Sequence, residues 1–236
     1  MLKIKNLEVS YERVQVIWGV DLSVQKNEAV GIFGPNGSGK TTIIKSILGL
    51  VDNVSGEIEF EDRNINKWGT HEIIRSGVAL VPQDRELFPR MTVEENLRLG
   101  SSFIERAQES TSENLTFVFD LFPSLKEKRE DAAGTLSGGQ QRMLTVGRAL
   151  MADPDLLILD EPSVGLQPSL VKELFQKLKN IKAEGEVSIF LAEQNVRQGL
   201  KIIDRGYVLE NGSIVIEADG DELLDNEHVQ EAYLGL

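Results

Sequence analysis

The stretch that decides the fold of this chain reads Gly34-Pro35-Asn36-Gly37-Ser38-Gly39-Lys40-Thr41. It follows the buried-type strand Glu28–Phe33, which is apolar from Ala29 onwards, and fits the phosphate-binding loop pattern G-x-x-x-x-G-K-[ST]. Its glycines let backbone N–H groups approach phosphate oxygens, and a helix beginning at about Lys40 adds positive potential. The pattern therefore predicts that Lys40 binds the β- and γ-phosphates and that the Thr41 hydroxyl, with Thr42 beside it, is suited to Mg²⁺. The alternative is a glycine-rich turn that opens a helix without a ligand.

Composition limits the classes of protein that remain. The 236 residues are 41% hydrophobic, which suits one large α/β domain or a core with a smaller subdomain. No run of about 18 apolar residues occurs, so we expect a soluble chain. The net charge of −13 argues against a nucleic-acid partner, where clustered lysine and arginine are expected. The absence of cysteine excludes disulfides, metal thiolates and a cysteine nucleophile.

Hydrophobic patterning predicts two kinds of sheet. The first 24 residues alternate as an antiparallel sheet with one exposed face would. The apolar runs Val78–Val81, Leu156–Leu159 and Val187–Ala192 read as buried strands, and a helix over Ser169–Lys182 separates the last two. Strand–helix–strand order is typical of a parallel sheet. Near the carboxyl end, Asn211-Gly212 predicts a hairpin turn.

The section from residue 84 to 150 reads instead as helices. Thr92-x-x-Glu95 and Ser137-x-x-Gln140 both have the form of a capping box at a helix start. The polar stretch Ala107–Asn114 is expected to be a loose connection. We therefore predict one domain over 1–236, with a nucleotide-binding core at 1–83 and 151–236 that includes the antiparallel part, and an inserted helical subdomain at 84–150.

Two carboxylates follow the predicted buried strand Leu156–Leu159. Asp160 and Glu161 come directly after four apolar residues, and ligands of open α/β sheets bind at the carboxyl edge of the strands. We expect Asp160 to hold Mg²⁺, through water, and Glu161 to polarise an attacking water. The alternative is a pair of solvated carboxylates that begins a loop.

Three further residues are candidates for the same site. Gln83 ends its own strand and could reach Mg²⁺ or the attacking water, although a strand-end glutamine in solvent is the alternative. Tyr11 could stack on an adenine ring, with Val16 beside it, but strand aromatics are often core residues and both readings stay open.

A second glycine pair begins a helix at Ser137-Gly138-Gly139-Gln140. Two consecutive glycines are costly at a helix start unless another group must approach the backbone closely. A second phosphate-binding surface explains that cost, and a simple helix cap is the alternative.

Together these residues resemble the ATP-binding cassette (ABC) ATPases over the whole chain. The resemblance implies a P-loop α/β core with a mainly parallel sheet, an N-terminal antiparallel β-subdomain and an inserted α-helical subdomain. It implies ATP and Mg²⁺ as ligands and a head-to-tail dimer. In that dimer, each ATP lies between the phosphate-binding loop of one chain and Ser137, Gly138, Gly139 and Gln140 of the other. Hydrolysis then releases the two chains and moves a membrane permease.

Finer features are similar to the ATPases of branched-chain amino acid importers of the LivF type. They include Val81–Leu97, Glu161–Pro168, Ala192–Asn195 and Asp204–Gly212. The resemblance implies transmembrane permease subunits and a second ATPase, or a homodimer, as partners. It also implies an indirect solute-binding protein and a place on the inner, cytoplasmic face of the cell membrane.

Two positions depart from the general ABC pattern. The switch position, where γ-phosphate is normally contacted by histidine, holds Gln194, and the usual aspartate after Glu161 is replaced by Gln167. Glutamine donates an amide hydrogen bond but carries no charge. LivF-type subunits share both features, which supports that subfamily and keeps Gln194 as a candidate catalytic residue.

Alternative functions remain. Leu87 and Phe88 follow Gln83 and could line a groove for a permease helix, or belong to an ordinary core. Urea importers and lipid or lipopolysaccharide exporters use similar cassettes. A non-transport ABC protein, such as an iron–sulfur assembly ATPase, is the alternative from another class.

Overall fold

The computed structural model describes residues 1–185 and 187–235, whose strands form two sheets. In chain order the strands are β1 (Leu2–Tyr11), β2 (Val14–Val24), β3 (Ala29–Phe33), β4 (Val54–Phe60), β5 (Arg63–Asn64), β6 (Val78–Val81), β7 (Leu156–Asp160), β8 (Ser188–Glu193), β9 (Arg205–Glu210) and β10 (Ser213–Asp219). The helices are α1 (Lys40–Ile47), α2 (Thr70–Arg75), α3 (Val93–Leu99), α4 (Glu105–Glu109), α5 (Thr111–Leu121), α6 (Pro123–Lys126), α7 (Gly138–Leu150), α8 (Pro168–Glu184), α9 (Val196–Gly199), α10 (Gly220–Asp225) and α11 (Glu227–Val229). Short turns of 3₁₀ and π type lie at Ala133–Thr135 and Gln230–Leu234.

The smaller sheet is antiparallel, as its alternating sequence predicts. Its order is β2-β1-β4-β5, and β1 pairs with both β2 and β4. Apolar side chains from one face of these strands pack towards the larger sheet, while the polar residues between them face solvent. The period of two in the sequence therefore corresponds to one buried and one exposed face.

The larger sheet has the order β10-β9-β3-β8-β7-β6 and is parallel except for β10. Parallel pairing joins Phe33 to Glu193, Asp160 to Ala192 and Val81 to Leu159. The carboxyl ends of β3, β6, β7 and β8 consequently meet at one edge, which is where the candidate site residues emerge.

Alternate residues of β3 separate two hydrophobic cores. Val30 and Ile32 pack with the antiparallel sheet and α1, whereas Ala29 and Phe33 belong to the core that α7 and α8 cover. All five residues of β3 are buried, which explains why its sequence is apolar without alternation. The glycine-rich loop therefore begins directly after a fully buried strand.

Most helices agree with the sequence patterns. Helix α1 begins at Lys40 and ends before Gly49, whose φ of +65° suits glycine. Both capping boxes are present, with Thr92 and Ser137 as N-caps. The hairpin turn at Asn211-Gly212 is confirmed, with positive φ at both residues.

One prediction is wrong. Ala107–Asn114 is not a loose connection but lies in α4 and α5, which break at Ser110. Ala107 is fully buried, and the Thr111 hydroxyl donates to its carbonyl at 3.0 Å. The polar composition of the stretch concealed these anchors. The subdomain boundaries at residues 84 and 150 stay a prediction.

Candidate active site

A cavity of about 480 Å³ opens at the carboxyl edge of the parallel strands. All of its lining residues belong to the set that the sequence indicates: Tyr11, Val16, Asn36, Gly37, Gly39, Lys40, Thr41, Thr42, Gln83 and Glu161. They come from β1, β2, the loop after β3, α1, the end of β6 and the end of β7. The topology thus brings together residues that lie far apart along the chain.

The glycine-rich loop has a backbone that few other residues could adopt. Gly37 and Gly39 have φ values of +81° and +113°, a region that L-residues with a Cβ rarely occupy. A Cβ atom at Gly39 would also lie 2.5 Å from Cδ1 of Ile17. The loop leads directly into α1, whose first N–H groups lack intrahelical partners. Such a helix start favours an anion.

Lys40 is buried at the floor of the loop. Its Nζ donates to the carbonyls of Gly34 at 2.9 Å and Pro35 at 3.1 Å. The same atom lies 3.0 Å from Oε1 of Glu161, and both side chains are almost completely buried. Lys40 thereby joins the loop after β3 to the end of β7. Among the described residues, Glu161 is the one carboxylate paired with this buried cation, and a phosphate offers the same kind of charge-assisted bond.

Thr41 and Asp160 form a second contact across the same strands. The Thr41 hydroxyl donates to Oδ1 of Asp160 at 3.2 Å. Burial raises the pKa of Asp160 above its ordinary value, and the hydrogen bond from Thr41 opposes that rise. Among the described residues no cluster of three or more acidic, histidine or cysteine side chains could hold a metal by itself. The oxygens of Thr41 and Asp160 fit Mg²⁺, which is usually held by few protein ligands together with phosphates and water.

Glu161 follows β7 in an uncommon backbone conformation. Its φ is +46°, and its N–H donates to the carbonyl of Ala192 at 2.8 Å. Nε2 of Gln83 lies 3.5 Å from Oε2 of Glu161. Gln83 is exposed, and its amide faces the carboxylate that the sequence selects for water activation. Its role at Mg²⁺ or the attacking water stays a prediction.

Tyr11 lies at the rim of the cavity rather than in the core, with 42% of its surface exposed. Val16 is half-buried beside it. The open choice between a core aromatic and a stacking surface is thus resolved in favour of an accessible ring. Its contact with adenine stays a prediction.

The remaining loop residues support the cavity from behind. Gly34 and Pro35 contribute the carbonyls that hold Lys40. Ser38 is buried, its Oγ has no hydrogen-bond partner among the described residues, and its carbonyl accepts the N–H of Gly212 at 2.9 Å. The hairpin between β9 and β10 therefore braces the loop.

Other candidate residues do not line this cavity. Ser137 is the N-cap of α7 and exchanges hydrogen bonds with Gln140, while Gly138 and Gly139 form the first turn of that helix. Gln194 is exposed in the turn after β8, and its carbonyl accepts the N–H of Val196. Within one chain, the structure thus separates two groups: the loop and carboxylates at the cavity, and the α7 start away from it.

Sequence reasoning missed Glu193, the last residue of β8. It is fully buried, and its two carboxylate oxygens accept the N–H groups of Ser163 at 3.0 Å and Asn195 at 2.9 Å. Burial raises the pKa of this carboxyl group. It joins the loop after Glu161 to the turn that contains Gln194. A charged residue directly after the apolar run Ile189–Ala192 was the available signal, since Asp160 follows its strand in the same way.

The fold and cavity define an ATP-binding cassette, and comparison with known proteins gives the family. The family model described as "ABC transporter" matches residues 17–164, so the chain belongs to this family of ATPases. Across 235 residues it is 43% identical to BraG of Pseudomonas aeruginosa, a high-affinity branched-chain amino acid transport ATP-binding protein, with all of both chains covered. It is 33% identical to a probable branched-chain amino acid transport ATP-binding protein, LivF, of Archaeoglobus fulgidus, covering 100% of this chain and 99% of LivF.

Solved structures agree with this fold. The ADP conformation of MJ1267, an ATP-binding cassette of an ABC transporter, superposes with a TM-score of 0.85 at 30% identity, covering 100% of this chain and 99% of MJ1267. In the part of the chain that the structure describes, no helix is long and apolar enough to cross a membrane.

Proposed function

We propose that this chain is the ATP-hydrolysing subunit of a membrane importer for branched-chain or related amino acids. The observation that carries the ATPase part is the pairing of Lys40 with Glu161 and of Thr41 with Asp160 at one cavity. The substrate class is supported by BraG and LivF, whose names state branched-chain amino acid transport. The ATPase itself does not touch the transported solute, so the substrate needs its own test.

In this proposal ATP replaces the internal partner of Lys40. The β- and γ-phosphates bind the ammonium group of Lys40 in place of Glu161. The carboxylate of Glu161 is then free to polarise a water molecule for attack on the γ-phosphate. Gln83 orients that water or the bound metal, and Gln194 donates an amide hydrogen bond to the γ-phosphate. Thr41, Asp160 and Gln83 would hold Mg²⁺, which supplies neutralisation of phosphate charge when bound. Positioning and charge neutralisation account for most of the catalysis of phosphoryl transfer.

The start of α7 serves the second ATP of a dimer. Ser137, Gly138, Gly139 and Gln140 lie outside the cavity of their own chain, which supports their use by a partner. That partner is a second ABC ATPase, or a second copy of this chain. Each ATP then needs the phosphate-binding loop of one chain and the α7 start of the other. An isolated monomer therefore hydrolyses ATP poorly in this proposal.

The proposed permease surface lies beside Gln83, on the helical section 84–150 that we take as a subdomain. A groove of about 420 Å³ is lined in part by Leu80, Pro82, Phe88 and Phe103. Phe88 is 52% exposed and Phe103 77% exposed, an unusual concentration of accessible aromatic surface. Leu87, by contrast, is half-buried against the core, so only Phe88 of that pair is offered to a permease helix.

This surface is tested by crosslinking from a single introduced cysteine, because the chain has none of its own. Phe88→Cys is expected to link to a permease subunit, on the inner face of the membrane, during ATP turnover. Val215→Cys, on the half-exposed Val215 of β10, is the matched control and is expected to give no such link. Equal linking from both positions, or none from residue 88, would contradict docking at the groove.

The transport proposal is tested by purifying the protein from native membranes and identifying what accompanies it. A multi-spanning permease, a second ATPase and an amino-acid-binding protein would support it. If the permease instead transports urea, lipid or lipopolysaccharide, the proposal of a transporter ATPase stands and the proposal of an amino acid substrate is overturned. Soluble partners alone would overturn transport and favour the non-transport ABC proteins, such as an iron–sulfur assembly ATPase.

A further inference from the structure

Helix α7 binds the loop that follows β6 through a row of side chains. The loop, residues 82–86, has no regular secondary structure, and its carbonyls find their donors on α7. Arg142 donates from Nη1 to Pro82 at 2.7 Å and from Nη2 to Gln83. Thr145 donates to the carbonyl of Arg85 at 3.1 Å, and Arg148 donates to that of Glu86 at 2.8 Å.

Arg142 is the unusual member of this row. It is only 2% exposed, its acceptors among the described residues are those two carbonyls, and its Nε has no partner. Burial lowers the pKa of its guanidinium, and the charge of Arg85 lowers it further. Burying a cation without a directly bonded carboxylate is costly, and the two bonded carbonyls together with the nearby charges of Asp84, Glu193 and Asp160 offset part of that cost. Both hydrogen bonds of Arg142 among the described residues go to one segment, the loop that contains Gln83.

The contacts on either side of Arg142 show what these bonds connect. On one side, Gln83 extends its amide to within 3.5 Å of Glu161. On the other side, Arg142 lies on the second turn of α7, whose first turn is Gly138-Gly139-Gln140. The planar guanidinium binds the carbonyls of two successive residues, which fixes an orientation as well as a distance.

We infer that Arg142 is a positioning residue. It holds the side chain of Gln83 opposite Glu161, and it connects this pair to the start of α7. Its two bonds fix the backbone of Gln83, and the side-chain amide of Gln83 then faces the carboxylate. A change at the nucleotide cavity is transmitted through the same bonds to the surface proposed for the partner's ATP. This inference rests on the proposed ATPase function.

Arg142→Gln tests the inference, because it removes the charge and leaves one amide donor group. We expect kcat for ATP hydrolysis to fall about tenfold or more, since small misplacements at an active site are costly. The KM for ATP is expected to stay within about twofold because Lys40 and its loop are untouched. Arg142→Lys keeps the charge without the fork and is expected to recover part of the rate. Arg98→Gln, on the exposed Arg98 that pairs with Glu94 in α3, removes the same charge and should leave both parameters unchanged.

A double-mutant cycle separates positioning from general stability. If Arg142 acts through Gln83, Arg142→Gln lowers kcat no further in a Gln83→Ala background. An equal further loss in that background would overturn the inference. Should Arg142→Gln fail to fold, the cycle is run with Arg142→Lys.

The rates are measured on the full chain purified with its co-purifying proteins, beside a Glu161→Gln reference. If the wild type exceeds Glu161→Gln but Arg142→Gln equals the wild type, the inference alone is overturned. If the wild type and Glu161→Gln hydrolyse ATP alike, both the inference and the proposed function fail.

Discussion

Nζ of Lys40 and Oε1 of Glu161 lie 3.0 Å apart in a buried ion pair. Each group is selected by the sequence for a different task, one for phosphate and one for water. Their pairing means that the free protein keeps both charges satisfied internally. In the proposed function, a nucleotide that binds Lys40 also releases the carboxylate of Glu161 for its role with water.

Lys40→Met is expected to weaken ATP binding at least tenfold, which corresponds to about 1.4 kcal/mol. The side chain keeps most of its length but loses the charge that the phosphates would take. Lys45→Met, at the exposed Lys45 of the same helix, is the control and should bind ATP as the wild type does. Calorimetric titration with ATP gives both dissociation constants. Equal affinities of the two variants would contradict the role of Lys40.

Asp160→Asn is expected to raise the melting temperature of the nucleotide-free protein at pH 7.5. Burial raises the pKa of Asp160, so the folded state binds this proton more tightly than the unfolded state does. The free energy of unfolding therefore falls as pH rises from the ordinary pKa of 3.8 through the raised value. The ionised carboxylate is a cost at neutral pH, and asparagine removes it.

Thermal unfolding in EDTA, at pH 7.5 and at lower pH, tests whether Asp160→Asn melts above the wild type as predicted. The difference between Asp160→Asn and wild type should shrink as the solution becomes more acidic. Asp52→Asn, at the exposed Asp52, should show no such trend. A variant that melts below the wild type at pH 7.5 would show that Asp160 stabilises the free chain.

Gly212→Ala should destabilise the protein by more than about 2 kcal/mol, because it combines left-handed strain with a backbone overlap. The φ of Gly212 is +80°, and a Cβ atom would lie 1.9 Å from the carbonyl oxygen of Val16. Gly185→Ala is the matched control, since Gly185 has a φ of +74° and open space around it. Its cost should be about 1–2 kcal/mol. Similar denaturation midpoints for the two variants would contradict the close packing of Gly212 against the backbone of Val16.

Gln194→His should keep ATP binding and should not lower hydrolysis. Gln194 is exposed after β8, where an imidazole fits and offers a ring N–H in place of the amide donor. Steady-state hydrolysis and ATP affinity are compared with Gln176→His, a substitution at the exposed Gln176 of α8. A severe loss of hydrolysis in Gln194→His alone would show that the glutamine is specifically required.

Local patterns accounted for most of the fold. The buried strands, the start of α1 and both capping boxes were readable because each depends on neighbours within a few residues. All residues that line the cavity were also in the predicted set. The loop motif and the two strand-end residues after β6 and β7 indicated the same edge of the sheet.

Long-range contacts could not be read in the same way. Arg142 reaches a carbonyl 59 positions away. Glu193 holds Ser163 across 30 positions. These bonds depend on where the topology places two strand ends or a helix, so composition gave no sign of them. The helical state of residues 107–114 was missed for a related reason, since its buried anchor is a single small residue, Ala107.

The most direct test of the central claim is ATP-driven leucine uptake by the reconstituted transporter with wild-type or Glu161→Gln protein. The account predicts uptake that requires ATP and that falls about 10²-fold or more with Glu161→Gln, in line with loss of general-base catalysis. ATP binding should persist in that variant, because Lys40 remains. Undiminished uptake with Glu161→Gln, or ATP hydrolysis by a complete complex that moves no amino acid, would contradict the account.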